Sequence, residues 1–373
     1  MRCARRLCSV CFLPVSNVAP LVSRLNLRSV MHPNPCGSLL RRSVSSVVLT
    51  TILSLIVAVG SRAEQTPANP ALPPLAIPPD NPQSEAKIAL GAQLYFDPRL
   101  SVDNSISCAT CHAPETAWAN HDKVDTGVGG RMGTRNSGTV VDAAYMTFQF
   151  WDGRAHTLEE QALGPIHNPV EMGETLEHAV RKLNAIAGYK AQFHHVFGTA
   201  VTADGIAKAI AAFERTVLSG PSPYDRFVAG DRAAMSESAM RGLELFGGQA
   251  GCSACHAPPM FSDQSFHNIG VGMGRSTPDI GRESVTNDPA DRGKFKTPAL
   301  RNVALTWPYL HDGSAATLDD VVELYDSGGV PNPTLDRRIT PLGLTVPQQK
   351  DLVAFLRSLT GTLPRIERPV LPK

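Results

Sequence analysis

Strand-like alternation is scarce in this 373-residue chain, and no cysteine stands outside its first 36 residues and two short motifs. No Lys/Arg-rich run appears downstream of the N-terminal stretch, and Lys, Asp and Glu are missing from the first 63 positions. Each absence excludes something. Without period-two alternation, a sandwich or barrel of many short strands is excluded. Without a basic run, nucleic acid is not an expected partner. The apolar run from Val47 to Gly60 falls short of the roughly 18 residues that suggest a membrane span. It follows Arg41-Arg42 and precedes the small-x-small pattern Ser61-Arg62-Ala63, and residues 1–63 hold eight arginines. These are the parts of a secretory signal, so we expect export to the periplasm. A retained N-terminal anchor is the alternative. Met31 is an alternative start to Met1, and the arginine pair hints at the twin-arginine route. Of eight cysteines, Cys3, Cys8, Cys11 and Cys36 fall in this leader. Its removal leaves no thiol for a disulfide.

The other four cysteines stand in Cys108-Ala109-Thr110-Cys111-His112 and Cys252-Ser253-Ala254-Cys255-His256. Both read C-x-x-C-H, the attachment site of a c-type haem. Two thiols bond to the porphyrin edge and the histidine ligates iron. Zinc would require further Cys or His ligands at motif spacing, and a redox C-x-x-C has no need of the trailing histidine. The pattern therefore predicts two covalent haems, with His112 and His256 as proximal ligands. Without residues 1–63 the chain has 27 Lys+Arg against 34 Asp+Glu, a formal net charge of −7. Such a surface suits solubility and docking to a basic redox partner.

The expected fold class is all-α, with two cytochrome-c-like helical domains, each wrapped around one haem. Residues 64–82 read as an extended lead-in. Helical spacing recurs at Leu176, Val180 and Leu183, at Ile206, Ile210, Phe213 and Val217, and at Leu352, Phe355 and Leu359. Thr157-x-x-Glu160, Thr317-x-x-Asp320 and Thr345-x-x-Gln348 resemble capping boxes. Ser219-Gly220-Pro221-Ser222-Pro223 reads as a linker, giving domains 83–222 and 223–373. The halves look duplicated. Each has C-x-x-C-H-Ala-Pro, then Arg-Asn (Arg135-Asn136 and Arg301-Asn302), then Trp151-Asp152-Gly153 or His311-Asp312-Gly313.

On these residues the chain resembles the bacterial di-haem cytochrome c peroxidases, a group that includes MauG. Further carriers are Tyr95-Phe96-Asp97-Pro98-Arg99-Leu100-Ser101, Phe150-Trp151-Asp152-Gly153-Arg154-Ala155, Gln161-Ala162-Leu163-Gly164-Pro165, Pro169-Val170-Glu171-Met172 and Thr297-Pro298-Ala299-Leu300-Arg301-Asn302-Val303. The resemblance implies a peroxide-reactive first haem and an electron-relay second haem. It assigns Glu171 and Gln161 to the peroxide pocket. A carboxylate can shuttle the proton of O–O cleavage and an amide can orient the peroxide. It makes Trp151 the relay between haems, and implies a calcium ion held by Asn136 and the carbonyls of Thr306 and Pro308, oxygens that suit a hard cation. Many relatives carry a removable distal histidine near residue 132. Here Thr126–Gly133 holds none, which implies an open first site, with His121 the alternative ligand. At the second haem Tyr325 stands where relay relatives place Met. As a ligand it should lower the potential that Met raises. Met260 and Met273 are the fallback ligands.

The expected activity is that of a cytochrome-c peroxidase-type oxidoreductase. It would reduce hydrogen peroxide with electrons from a small donor protein, a cytochrome c or a cupredoxin. One alternative is a MauG-like enzyme that oxidises side chains of a protein substrate. Another is a non-enzymatic di-haem electron carrier, against which Glu171 and Gln161 argue. The reading permits a homodimer.

Overall fold

Two pairs of crossed helices, one in each half, organise the chain. The structure is a computed structural model that describes residues 69–373; the expected leader and residues 64–68 lie outside them. The helices are α1 (Glu85–Tyr95), α2 (Cys108–Cys111), α3 (Leu158–His167), α4 (Leu176–Asn184), α5 (Ala187–Phe197), α6 (Ala203–Glu214), α7 (Pro223–Val228), α8 (Glu237–Gly247), α9 (Glu283–Thr286), α10 (Leu318–Asp326) and α11 (Val346–Ser358). Among the described residues the only strands are β1 (Phe266–His267) and β2 (Phe295–Lys296), paired antiparallel. The fold is therefore helical, as the lack of alternation predicts. No helix among these residues is long and apolar enough to cross a membrane.

The start signals work locally. Thr317 and Thr345 make the expected capping boxes with Asp320 and Gln348. Thr157 also caps its helix, accepting from the Glu160 amide at 3.0 Å. There, however, Glu160 reaches back to the His156 amide instead of the Thr157 one. In α6 the Thr202 cap precedes a face on which Ile206, Ile210 and Phe213 are buried.

Helices α1 and α6 cross at Gly91. A Cβ there would stand 1.8 Å from the Ala209 carbonyl oxygen, so only glycine permits this approach. Helices α8 and α11 repeat the device at Gly242, where a Cβ would stand 2.0 Å from the Asp351 carbonyl. Aromatic clusters sit beside both crossings. Tyr95, Trp118 and Phe213 form one, with centroids 5.1–6.0 Å apart. Phe246, Phe261 and Phe355 form the other, at 4.9–6.1 Å. Each anchors its own hydrophobic core.

The duplication is clear in the backbone, but in a different register from the one Arg135-Asn136 suggests. Asp142 and Asn302 both take left-handed φ, at 61° and 60°. Their amides donate to Val217 and Leu359, just past α6 and α11. Phe150 and Leu310 share φ of 65° and 72°, and Thr157 and Thr317 cap equivalent helices. Members of each pair lie 160 residues apart, so Asn302 corresponds to Asp142 and not to Asn136. The Arg-Asn dipeptide misleads because Asp and Asn both tolerate this conformation.

The segment read as a linker is tied down. Ser219 and Ser222 are buried, and the Asp142 carboxylate accepts from the Ser219 amide at 2.9 Å. Close by, the buried pair Arg301–Asp225 (2.8 Å) accepts a further bond from Asn69 of the lead-in. The C-terminal tail returns to the first core through Leu363 and Ile366.

Candidate functional site

A cavity of about 810 Å³ opens beside the first motif. That volume lies within the ordinary range of cofactor sites. Cys108, Cys111 and His112 line it, and so do Gln161, Glu171 and Trp151. All the residues that sequence reasoning assigns to haem attachment, peroxide and relay in the first half thus meet in one space.

The motif is built as a haem site requires. His112 Nδ1 meets the Trp118 carbonyl at 3.3 Å. His256 Nδ1 meets the Phe261 carbonyl at 2.8 Å. A carbonyl selects the tautomer protonated at Nδ1, which leaves the Nε2 lone pair for a metal. Burial lowers the pKa of His256 and favours this neutral form. Burial also pushes the Cys108 thiol up to about 12 and the Cys252 thiol up to about 11. Thiolates are thus disfavoured at both positions, whereas an uncharged thioether carries no such penalty. The four described cysteines form no disulfide. Cys255, Asp263 and His267 lie within 4.8 Å of one another, a grouping that could suggest zinc. Both nitrogens of His267 are engaged, however, at 2.8 Å to Asp263 and 2.9 Å to Asp336. Bonds to Cys255 and Asp263 raise its pKa to about 9, which favours the protonated ring that cannot bind a metal. The residues fit covalent haem.

Glu171 and Gln161 come from one element and the turn behind it. Gln161 is on α3, and Glu171 lies in the turn that follows. Asn168 Nδ2 donates to Glu171 Oε1 at 2.6 Å. Burial raises the carboxyl's pKa, while the Asn168 bond and the Arg154 charge oppose the rise. A carboxyl raised in this way holds its proton more readily, and it can both take and return one. The loop lacking a histidine packs on the same turn: the Val128 amide donates to the Glu171 carbonyl at 2.8 Å.

His121 is placed elsewhere. Its ring stacks on Trp307 at 4.1 Å and its Nε2 meets the Leu305 carbonyl at 3.1 Å. It is not among the residues lining the cavity. The sequence, nine residues past His112, could not show that this segment turns toward the second half.

At the second motif, Tyr325 projects from α10 beside the two thiols. Burial pushes its phenol pKa well up, with further contributions from Cys252 and Cys255. Met260 is buried, and Met273 Sδ lies where a Cβ on Gly293 would fall 2.6 Å away. Between the motifs, Trp151 Nε1 donates to the Asn136 carbonyl at 2.8 Å. The Asn136 amide donates to the His311 carbonyl, also at 2.8 Å, and the His311 ring lies 6.4 Å from Trp151. A hydrogen-bonded path therefore joins Trp151 to the second half. Asn136 also reaches back through Nδ2 to the Asp122 carbonyl. Among the described residues no hydrogen bond ends on Asn136 Oδ1 or on the carbonyls of Thr306 and Pro308.

Glu214 and Lys296 are among the cavity residues that escaped the sequence reading. Glu214, the last residue of α6, is 5% exposed and has an unpartnered Oε2. An acid next to Phe213 on a buried helix face was the available signal. Lys296 sits in β2, too short a strand to register in the sequence.

A family model described as di-haem cytochrome c peroxidase matches residues 85–233. The chain is 38% identical over 359 residues to the cytochrome-c peroxidase IdrP1 of Denitromonas iodatirespirans, covering 88% of this chain and 95% of that protein. It is 41% identical over 302 residues to the methylamine utilization protein MauG of Methylorubrum extorquens, covering 79% and 84% respectively. A solved structure of a MauG-like protein associated with microbial copper homeostasis aligns with TM-score 0.73 and 34% identity, over 79% of this chain and 95% of that one.

Proposed function

The chain belongs to the di-haem cytochrome c peroxidase family, and on that premise we propose that it reduces hydrogen peroxide at its first haem with electrons delivered through its second. The reaction takes two electrons and two protons and releases two waters. One observation carries this reading: Glu171 and Gln161 share a cavity with the first C-x-x-C-H. When bound, the haem would supply the iron at which the O–O bond is reduced. The protein supplies the rest. His112, fixed by the Trp118 carbonyl, would hold the haem iron through Nε2. Glu171 takes a proton from one peroxide oxygen and returns it to the departing oxygen. Gln161 orients the peroxide through its amide. Asn168 holds the carboxylate in place.

Electrons come from a small redox protein, a cytochrome c or a cupredoxin, and pass by way of Trp151. Tyr325 would be a ligand of the second haem's iron. The undonated oxygens of Asn136, Thr306 and Pro308 support a calcium ion between the halves. The arginine-rich leader supports export to the periplasm.

The test is peroxide turnover with reduced cytochrome c as donor. Glu171→Gln should keep two haems per chain and lose about 10²–10⁴-fold in kcat. Undiminished turnover in this variant would refute the assignment. Oxidation of a partner protein by peroxide with no turnover of any small donor would favour a MauG-like activity.

A further inference from the structure

Four basic residues line the first cavity, and three of them have carboxylate partners. Arg135 pairs with Asp152 and Asp279, each at 2.6 Å. Arg154 pairs with Asp152 at 3.1 Å, and Arg275 pairs with Asp312. The fourth is Lys296. Its ammonium has no acceptor among the described residues, and burial alone pushes its pKa down to about 8. A half-buried ammonium on the cavity wall with no carboxylate partner fits an anionic group entering that cavity.

Its backbone is held firmly. The Lys296 amide donates to the Trp151 carbonyl at 2.7 Å. Lys296 pairs with Phe266 across β1–β2, and the preceding Phe295 stacks on His311 at 3.7 Å. The unpartnered charge is therefore carried on rigid backbone, at the residue tied to Trp151. The group expected in this cavity carries two propionate carboxylates. We propose that Lys296 is the propionate anchor of the first haem, and that this charge pair raises the reduction potential of that haem. The inference rests on the haem reading above. Lys296 is a positioning residue. It moves no proton in the reaction, and it neutralises a carboxylate on the Trp151 side of the cavity. Removing a positive charge near the iron favours the more positive oxidised state, so the potential falls when the lysine is lost.

The test compares holoprotein of the wild type with Lys296→Met and Lys296→Arg. Haem content is measured by pyridine haemochrome, the first-haem potential by spectroelectrochemistry, and the propionate bending modes by resonance Raman. All three proteins should carry two haems. Lys296→Met should show a lower first-haem potential and shifted propionate modes, with the second-haem potential unchanged. Lys296→Arg should stay near the wild type in both. Unchanged potential and modes in Lys296→Met would overturn the assignment, as would an equal fall in both variants. If Lys296→Met fails to fold, Lys296→Gln takes its place: a lower first-haem potential with shifted propionate modes supports the anchor, and unchanged potential and modes overturn it. Wild-type protein without haem would instead overturn the proposed function.

Discussion

Glu214→Gln should make the protein more stable at neutral pH and leave it unchanged in acid. Glu214 is buried at the end of α6, and its Oε2 has no partner. The adjacent Arg215 is turned to Glu159, with bonds of 2.7 and 2.9 Å. Burial pushes the Glu214 carboxyl up from about 4.5 to about 8, with Arg215 opposing the rise and Glu159 adding to it. Below pH 4.5 the acid is protonated whether the chain is folded or not. Between pH 4.5 and 8 the unfolded chain ionises it while the folded chain keeps the proton. Stability is therefore lost as pH rises through this window, at about 1.36 kcal/mol per pH unit. At pH 7 the loss is on the order of 3 kcal/mol, which glutamine, neutral in both states, avoids. Covalent haem stays on the unfolded chain, so urea unfolding of the holoprotein can be followed without cofactor loss. The gain should appear at pH 7 and vanish near pH 4. An equal gain at both pH values would refute the linkage argument, and so would a less stable variant at pH 7.

Tyr325→Met should raise the second haem's potential, because a thioether favours reduced iron more than a phenolate does; an unchanged potential would remove Tyr325 from the ligand set. Gly91→Ala should lower the urea midpoint by an amount equivalent to roughly 1–3 kcal/mol, since the new Cβ meets the Ala209 backbone, and the loss should be absent at an open position such as Gly138.

What the sequence disclosed depended on how local the cause was. Periodic apolar faces located α4, α6 and α11, and cap chemistry located the starts of α10 and α11, because a helix is decided within a few residues. The C-x-x-C-H motifs are local as well. Position in space is not local. His121 is the nearest histidine after the first motif, yet it stacks on Trp307. The Ser219–Pro223 segment has a loop's composition, yet its small residues fit between Asp142 and Asp225. Glu214 and Lys296 looked ordinary in sequence, because only the cavity wall makes their charges unusual.

The register of the duplication bears on which of the two proposed haem sites would be open. Helices α3 and α10 begin at the equivalent caps Thr157 and Thr317. In that register Tyr325 falls on Pro165, and Pro165 lines the first cavity. Proline has no ligand atom and lacks the amide that would close the helix at that turn. The same position therefore carries a phenol beside one haem motif and nothing that can bind iron beside the other. Pro165→Tyr should place a phenol over the first iron. Two haems should remain, since both C-x-x-C-H motifs are untouched. Peroxide reactivity should fall sharply and the optical spectrum of the first haem should become six-coordinate. A variant that still reacts with peroxide at the wild-type rate, with its first-haem spectrum unchanged, would show that identity at this helix position does not decide which iron is free.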